Sequence, residues 1–391
     1  MIRRALLFAS PVLSVAAVAA AQPTAPRWRL VEDQRLDAAR EAFTELTTAR
    51  VGPRGRVVVA MHEDYRVRIY DPTALHSATV GGVGSRPGEF TQLSTFGWVA
   101  DTLWIHDGLP RRISYYSPDG ALLRVRPLPE PPIALAPGPG ASVVRTLAPA
   151  TIHADGAMLA RATVSSGGAS GVQQETVSAI VHVSPAGTVR LVAEIADDGP
   201  NLISVSTGSR GRAGVSVPFA IRPHVAASPD GGRVALLTTA FTSGAAGMLT
   251  LRWFGPDGAP LLERTYPFAG SPIPAQVVDS AVRRARESVS ARGGRAAGAA
   301  EIEMLIRQRI PPAYAPVVFM FLGLDGTTWL GLRPSSEGTI TLVLDERGDP
   351  IGNVRAPARS VILQGSRTHI WVTERTTGQP ISVVRYRVEK P

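Results

Sequence analysis

Gly81–Leu128 reads GGVGSRPGEFTQLSTFGWVADTLWIHDGLPRRISYYSPDGALLRVRPL. A Gly-rich connector leads into the apolar run Phe96–Val99. The turn at Asp101-Thr102 follows, then a second apolar run, Leu103–Ile105, and the pair His106-Asp107. A third run, Ile113–Tyr116, is followed by Pro118-Asp119-Gly120 and a fourth, Leu122–Val125. Short apolar runs bounded by Gly, Asp and Pro read as strands before they read as helices. Proline presets φ at the first corner of a turn, and glycine permits a positive φ at a later one. The stretch therefore holds four strands joined by tight turns.

The same unit recurs outward in both directions. Tight turns at Gly55-Arg56, Asp101-Thr102, Asp155-Gly156, Asp230–Gly232, Asp325-Gly326 and Ser366-Arg367 each precede an apolar run. These runs include Val57–Val59, Leu103–Ile105, Val234–Leu237 and Ile370–Val372. They lack polar alternation, so both faces should be buried, as in sheets stacked face to face. A second turn family follows the third strand: Asp71-Pro72, Pro118–Gly120, Pro185–Gly187, Pro256–Gly258 and Glu346–Gly348. Six four-stranded units predict an all-β, six-bladed β-propeller. The last unit ends before its outer strand. Trp28–Val31 is apolar enough to supply it, which closes the ring and removes a free edge.

The residues Gly84–Phe90, Leu103–Asp107, Arg112-Ile113 and Pro118–Gly120 resemble an NHL-repeat blade. The turn Ser228–Gly231 is similar to repeats of TolB-like propellers. The resemblance is good over Gly81–Leu128, fair over Gly55–Val80, and one of strands and turns alone beyond about Ala148. It implies a propeller scaffold and an Asp107–Arg112 pairing within the blade. It implies no single activity, because such propellers include binding modules and several kinds of enzyme.

The composition sets the remaining bounds. Arg3 and Arg4, the apolar run Ala5–Ala20 and the small residues Ala19–Ala21 read as a signal peptide over residues 1–21, cleaved before Gln22. The expected mature domain is 22–391, exported to the periplasm or secreted, with no transmembrane segment after cleavage. The chain of 391 residues has no cysteine, which excludes disulfides, thiolate metal sites and a Cys nucleophile. The formal charge of +9 comes almost wholly from scattered arginines, Lys390 being the only lysine. A nucleic-acid interface wants a basic stripe with interleaved aromatics, and none is present. A monomer is expected.

In a four-stranded meander, the connections between blades and those between second and third strands leave by one face. Every long connection in the sequence falls there: residues 81–96, 127–148, 165–176, 199–218, 239–247 and 270–316. The largest, 270–316, carries the helical signal and is expected as a helical insertion between blades four and five. Val277, Val278, Ala281, Val282 and Ala285 share one face, with Arg283, Arg284 and Arg286 largely opposite. Ile302, Leu305, Ile306 and Ile310 mark a second piece, stopped by Pro311-Pro312.

Insertions collected on one face mark it as the expected functional side. The ligand-face candidates are His62 and Asp64 after the second strand of the first repeat, His106 and Asp107 at the same place in the second, and Arg86 and Glu89 between them. There is no G-x-S-x-G elbow and no H-E-x-x-H helix, so no catalytic residue is named. No cofactor is implied, although His and carboxylates converging on a channel could bind a divalent cation. The sequence thus reads as a binding module for a protein, peptide or glycan on the loop-rich face. The other reading is a lactonase-like hydrolase or lyase using a channel metal.

Overall fold

The computed structural model describes residues 25–391 apart from 42, 44–47, 137–141, 167–175, 196–201, 207–211, 292–298, 334–338, 358 and 376–380. Residues 1–21, expected to be a signal peptide, lie outside the described residues. Among those described, no helix is long and apolar enough to cross a membrane.

The chain forms a six-bladed β-propeller. Its first strand, Arg29–Leu36, pairs antiparallel with its last, Ile381–Glu389, in a sheet completed by His369–Arg375 and Ser360–Gly365. Numbered from that first strand, this closing sheet is blade 1. Blades 2 to 6 span 48–81, 93–127, 133–195, 224–269 and 317–355. Blade 4 carries a short fifth strand, Ile133–Ala134.

The apolar runs of the repeat are the second strands: Val57–Met61, Thr102–Asp107, Met158–Ser166, Val234–Ser243, Thr328–Leu332 and His369–Arg375. All five residues of Val57–Met61 are buried, because the strand has a neighbouring blade on each face. Outer strands such as Pro260–Ala269 are mostly exposed. The turns that join first to second and third to fourth strands are short throughout. At Gly120 the backbone takes φ +86°, the conformation glycine was expected to supply.

Adjacent blades interlock by aromatic rings laid on glycines. A Cβ on Gly52 would stand 2.4 Å from the Trp98 ring of the next blade, and one on Gly365 would stand 2.8 Å from Trp329. Side chains also reach the turns of the following blade. Arg126 donates to the Gly156 carbonyl, Arg233 to that of Gly326, and the Tyr266 hydroxyl to that of Gly348 at 2.7 Å.

The helices are Ala275–Ala291 (α1) and Ala299–Arg309 (α2). They were expected between the fourth and fifth blades. Because the chain's first strand already belongs to a blade, they fall between the fifth and sixth. Val282, Ile302 and Ile306 are buried while Arg283, Arg284 and Arg286 are exposed, as the periodicity indicates.

What they pack against was not foreseen. The connection between blades 4 and 5, read as a plain loop, contains a hairpin of Leu202–Ser206 and Arg212–Ser216. Ile203, Val215 and Val217 of this segment form a separate small core with Val282, Ile302 and Ile306. Two insertions far apart in sequence thus build one accessory lobe on the loop-rich face.

Candidate functional site

Asp107 ends the second strand of blade 3 and is fully buried. Its carboxylate accepts from the Gln92 amide at 2.8 Å, the Thr91 amide at 3.2 Å and hydroxyl at 3.1 Å, and the Arg112 guanidinium at 3.3 Å. Arg112 also donates to the carbonyls of Ser85, Arg86 and Glu89 at 2.7, 3.1 and 2.8 Å. The Glu89 carboxylate accepts the Arg86 amide at 2.9 Å. Arg86, Glu89 and Asp107 are therefore brought together through Arg112, and the bonds they make fix the path of the connector 84–92.

His106 precedes Asp107 on the strand, so it faces the other side of the sheet. It is buried, and its Nδ1 has no hydrogen-bond partner among the described residues. Burial, helped by Arg111, pushes its pKa down to about 4, against a weaker opposing pull from Asp107. The ring is neutral at physiological pH. His62 and Asp64 sit half-buried in the turn joining the second and third strands of blade 2. Among the described residues, no three His, Asp or Glu side chains are grouped to hold a metal ion.

A concavity lies elsewhere. A cavity of about 710 Å³ occupies the central channel, bounded by the first strands of all six blades. Its wall includes Arg50–Gly52, Thr95–Trp98, Ala148–Thr151, Val225–Ala227, Met320–Leu322 and Leu363-Gln364. Its mouth includes Gly55, Ala100, Pro229 and Leu324, which belong to turns between first and second strands. It therefore opens toward the short-turn end of the channel, opposite the accessory lobe. None of the six candidates named from the sequence lines it.

Inter-blade bonds hold the wall in place. The Gln364 side-chain oxygen accepts the Val51 amide at 2.9 Å, and the Thr95 hydroxyl donates to the Pro149 carbonyl at 3.2 Å. Farther along the ring, a His224 ring nitrogen lies 3.2 Å from the Val317 carbonyl oxygen.

The lining is mostly apolar, with four charged groups. Arg54 is paired with Asp101 at 2.6 Å. Asp230 accepts the Gly232 amide at 3.0 Å, and its pKa is lowered: burial raises it, but the Ser228 hydroxyl and nearby amides outweigh that. Arg50 and Arg161 have no hydrogen-bond or ion-pair partner among the described residues. Arg50 is solvent-accessible, yet the surrounding channel wall desolvates it and lowers its pKa from the ordinary guanidinium value. The indole N–H groups of Trp98 and Trp104, also on the lining, have no acceptor among the described residues.

The sequence reading passed over these residues because it weighed loops and not first strands. The available signal was Arg50 itself, a charge within the short run Thr48-Ala49-Arg50-Val51 that the repeat makes an inner strand.

No family model matches the chain. No curated protein sequence matches it either. Solved structures do match along nearly its whole length. One is a protein from Bacteroides fragilis described as a candidate exported protein, 12% identical, covering 93% of this chain and 95% of its own, with a TM-score of 0.47. Another is regucalcin from Agrobacterium tumefaciens, a calcium-binding protein, at 13% identity, 92% and 96% coverage and TM-score 0.38. A third is virginiamycin B lyase from Staphylococcus aureus, at 10% identity, 92% and 99% coverage and TM-score 0.40. At these levels nothing about ligand or reaction is carried over, and the propeller assignment rests on the strand pairing itself.

Proposed function

We propose that the protein is an exported propeller of the NHL- or TolB-like kind that binds a small molecule within its channel. The observation that carries this reading is the cavity of about 710 Å³ walled by all six blades. That size falls within the range of small-molecule sites, which are concave, mainly apolar and largely pre-formed. Export is supported by the Arg3-Arg4 start, the apolar run and Ala19–Ala21. The sequence had favoured a protein, peptide or glycan on the loop-rich face. The cavity favours a small ligand entering from the other end. A metal-dependent hydrolase or lyase would need a donor set, and no such group of side chains is found among the described residues.

The test uses N-phenyl-1-naphthylamine, a neutral apolar fluorophore. Saturable binding with one site per chain is expected. Ala150 is exposed on the cavity wall, so Ala150→Trp puts an indole into the lumen and should abolish binding without disturbing the core. Unchanged binding to Ala150→Trp, or failure of both this probe and its sulfonated counterpart 8-anilinonaphthalene-1-sulfonate to bind the native protein, would refute the proposal.

A further inference from the structure

We infer that the channel ligand is an anion: a carboxylate, sulfonate or similar monoanion carried on an apolar body. The inference rests on the channel-binding reading above and adds the ligand's charge.

Of the four charged side chains on the lining, Arg54 and Asp230 are already engaged. Arg50 and Arg161 have no such partner among the described residues. Several guanidinium groups elsewhere in this protein find partners. Arg112 makes bonds to three carbonyls and a carboxylate, Arg126 and Arg233 cap turns, and Arg385 pairs with Asp33 at 2.8 Å. Arg50 and Arg161 have none among the described residues, and both line one concave wall.

Removing a charge from bulk water is costly unless something compensates. Arg50 bears part of that cost from the channel wall and recovers none of it from the protein. An anion in the lumen would supply the compensation. Guanidinium groups also offer forked donors that match carboxylate and sulfonate oxygens. Much of the rest of the wall, including Phe96, Phe321, Leu322 and Leu363, is apolar and suits an apolar body. A purely cationic ligand would meet two like charges against the single, already bonded carboxylate of Asp230.

The experiment compares two fluorophores that differ by one sulfonate: 8-anilinonaphthalene-1-sulfonate and N-phenyl-1-naphthylamine. A charge-assisted hydrogen bond is worth about 1.5–3 kcal/mol, so the sulfonate should bind at least about tenfold more tightly. Arg50→Met and Arg161→Met should each reduce that preference, and Arg50→Lys should retain part of it. Raising the salt concentration should weaken the sulfonate selectively. Ala150→Trp should remove its binding, which separates the channel from any apolar patch on the surface. Arg283→Met, on the exposed face of α1, should leave the ratio unchanged.

Equal affinity for the two fluorophores would overturn the anion inference and leave the cavity standing as a neutral site. So would a preference that survives in both Arg50→Met and Arg161→Met. Failure of both fluorophores to bind would overturn the cavity reading and this inference together.

Discussion

Trp28 is the point at which ring closure can be tested quantitatively. It is 3% exposed and precedes the strand Arg29–Leu36. Its amide donates to the Asn353 carbonyl at 2.8 Å, the Asn353 amide returns a bond to Pro26 at 2.9 Å, and the Asn353 side chain reaches Ala25 at 2.6 Å. The segment before the strand is thereby pinned to the outer strand of blade 6, while the strand itself pairs within blade 1. The indole wedges between the two. A Cβ on Gly352 would lie 2.1 Å from its ring, and Trp329 packs edge-on with centroids 6.4 Å apart.

Trp28→Ala should therefore destabilise by about 3–5 kcal/mol, the cost of deleting a buried indole and leaving its cavity. Gly352→Ala drives a methyl into the ring and should cost about 1–3 kcal/mol through overpacking. In the double variant the methyl enters space the indole has vacated. The two effects should then fall short of additivity by about 1–3 kcal/mol. Urea unfolding followed by circular dichroism gives all three values, with the m-value checking that the unfolding transition is unchanged. Additive effects, or a loss below about 1 kcal/mol for Trp28→Ala, would show that the N-terminal segment does not lock the ring.

Three further outcomes are expected. Asp107→Asn should cost about 2–3 kcal/mol in the same unfolding assay, because its acceptors are fully buried and charge-assisted, and should leave fluorophore affinity unaltered because Asp107 does not line the channel. Replacing residues 196–218 and 271–312 together by Gly/Ser linkers should leave the propeller's unfolding transition intact, since the lobe has its own core; removing 271–312 alone should expose Ile203, Val215 and Val217 and promote aggregation, seen by light scattering. Stability should fall on acidification: burial lowers the pKa of His106 from 6.5 to about 4 and lowers those of His182, His224 and His369, so the unfolded chain binds more protons as pH drops through 6.5. His106 alone should contribute about 2 kcal/mol of that loss between pH ~7.5 and ~5, and His106→Gln should flatten the profile by that amount.

How far the sequence revealed the fold follows from where each strand lies. Second strands such as Val57–Met61 are buried on both faces, so they are continuous apolar runs that announce themselves. The turns announce themselves through Pro, Asp and Gly. The hairpin at Leu202–Ser206 and Arg212–Ser216 does not. Its buried residues are single apolar positions among Ser, Gly and Arg, and the surface that covers them comes from α1 and α2, many residues later. Local pattern carries no information about a partner so distant.

The proposed channel site was hidden for a related reason. Whether a residue of Thr48–Val51 faces a neighbouring blade or the lumen depends on all six blades being closed around it. The wall joins Arg50 to Gln364 across nearly the whole chain. Arg50 and Arg161 look, in sequence, like any surface arginine.

On the channel reading proposed above, turn length points the other way. Uniformly short turns were taken as the sign of an idle face, and insertions as the sign of a working one. Short turns at the inner edge of every blade are also what leaves a channel mouth uncovered. Gly55, Ala100, Pro229 and Leu324 border the opening because their loops are too short to cross it. The long insertions between blades 4 and 5 and between 5 and 6 consume their apolar residues in packing on each other. An insertion that buries its own apolar surface has little left to offer a ligand. On the proposed channel reading, the absence of elaboration is the pointer to the site.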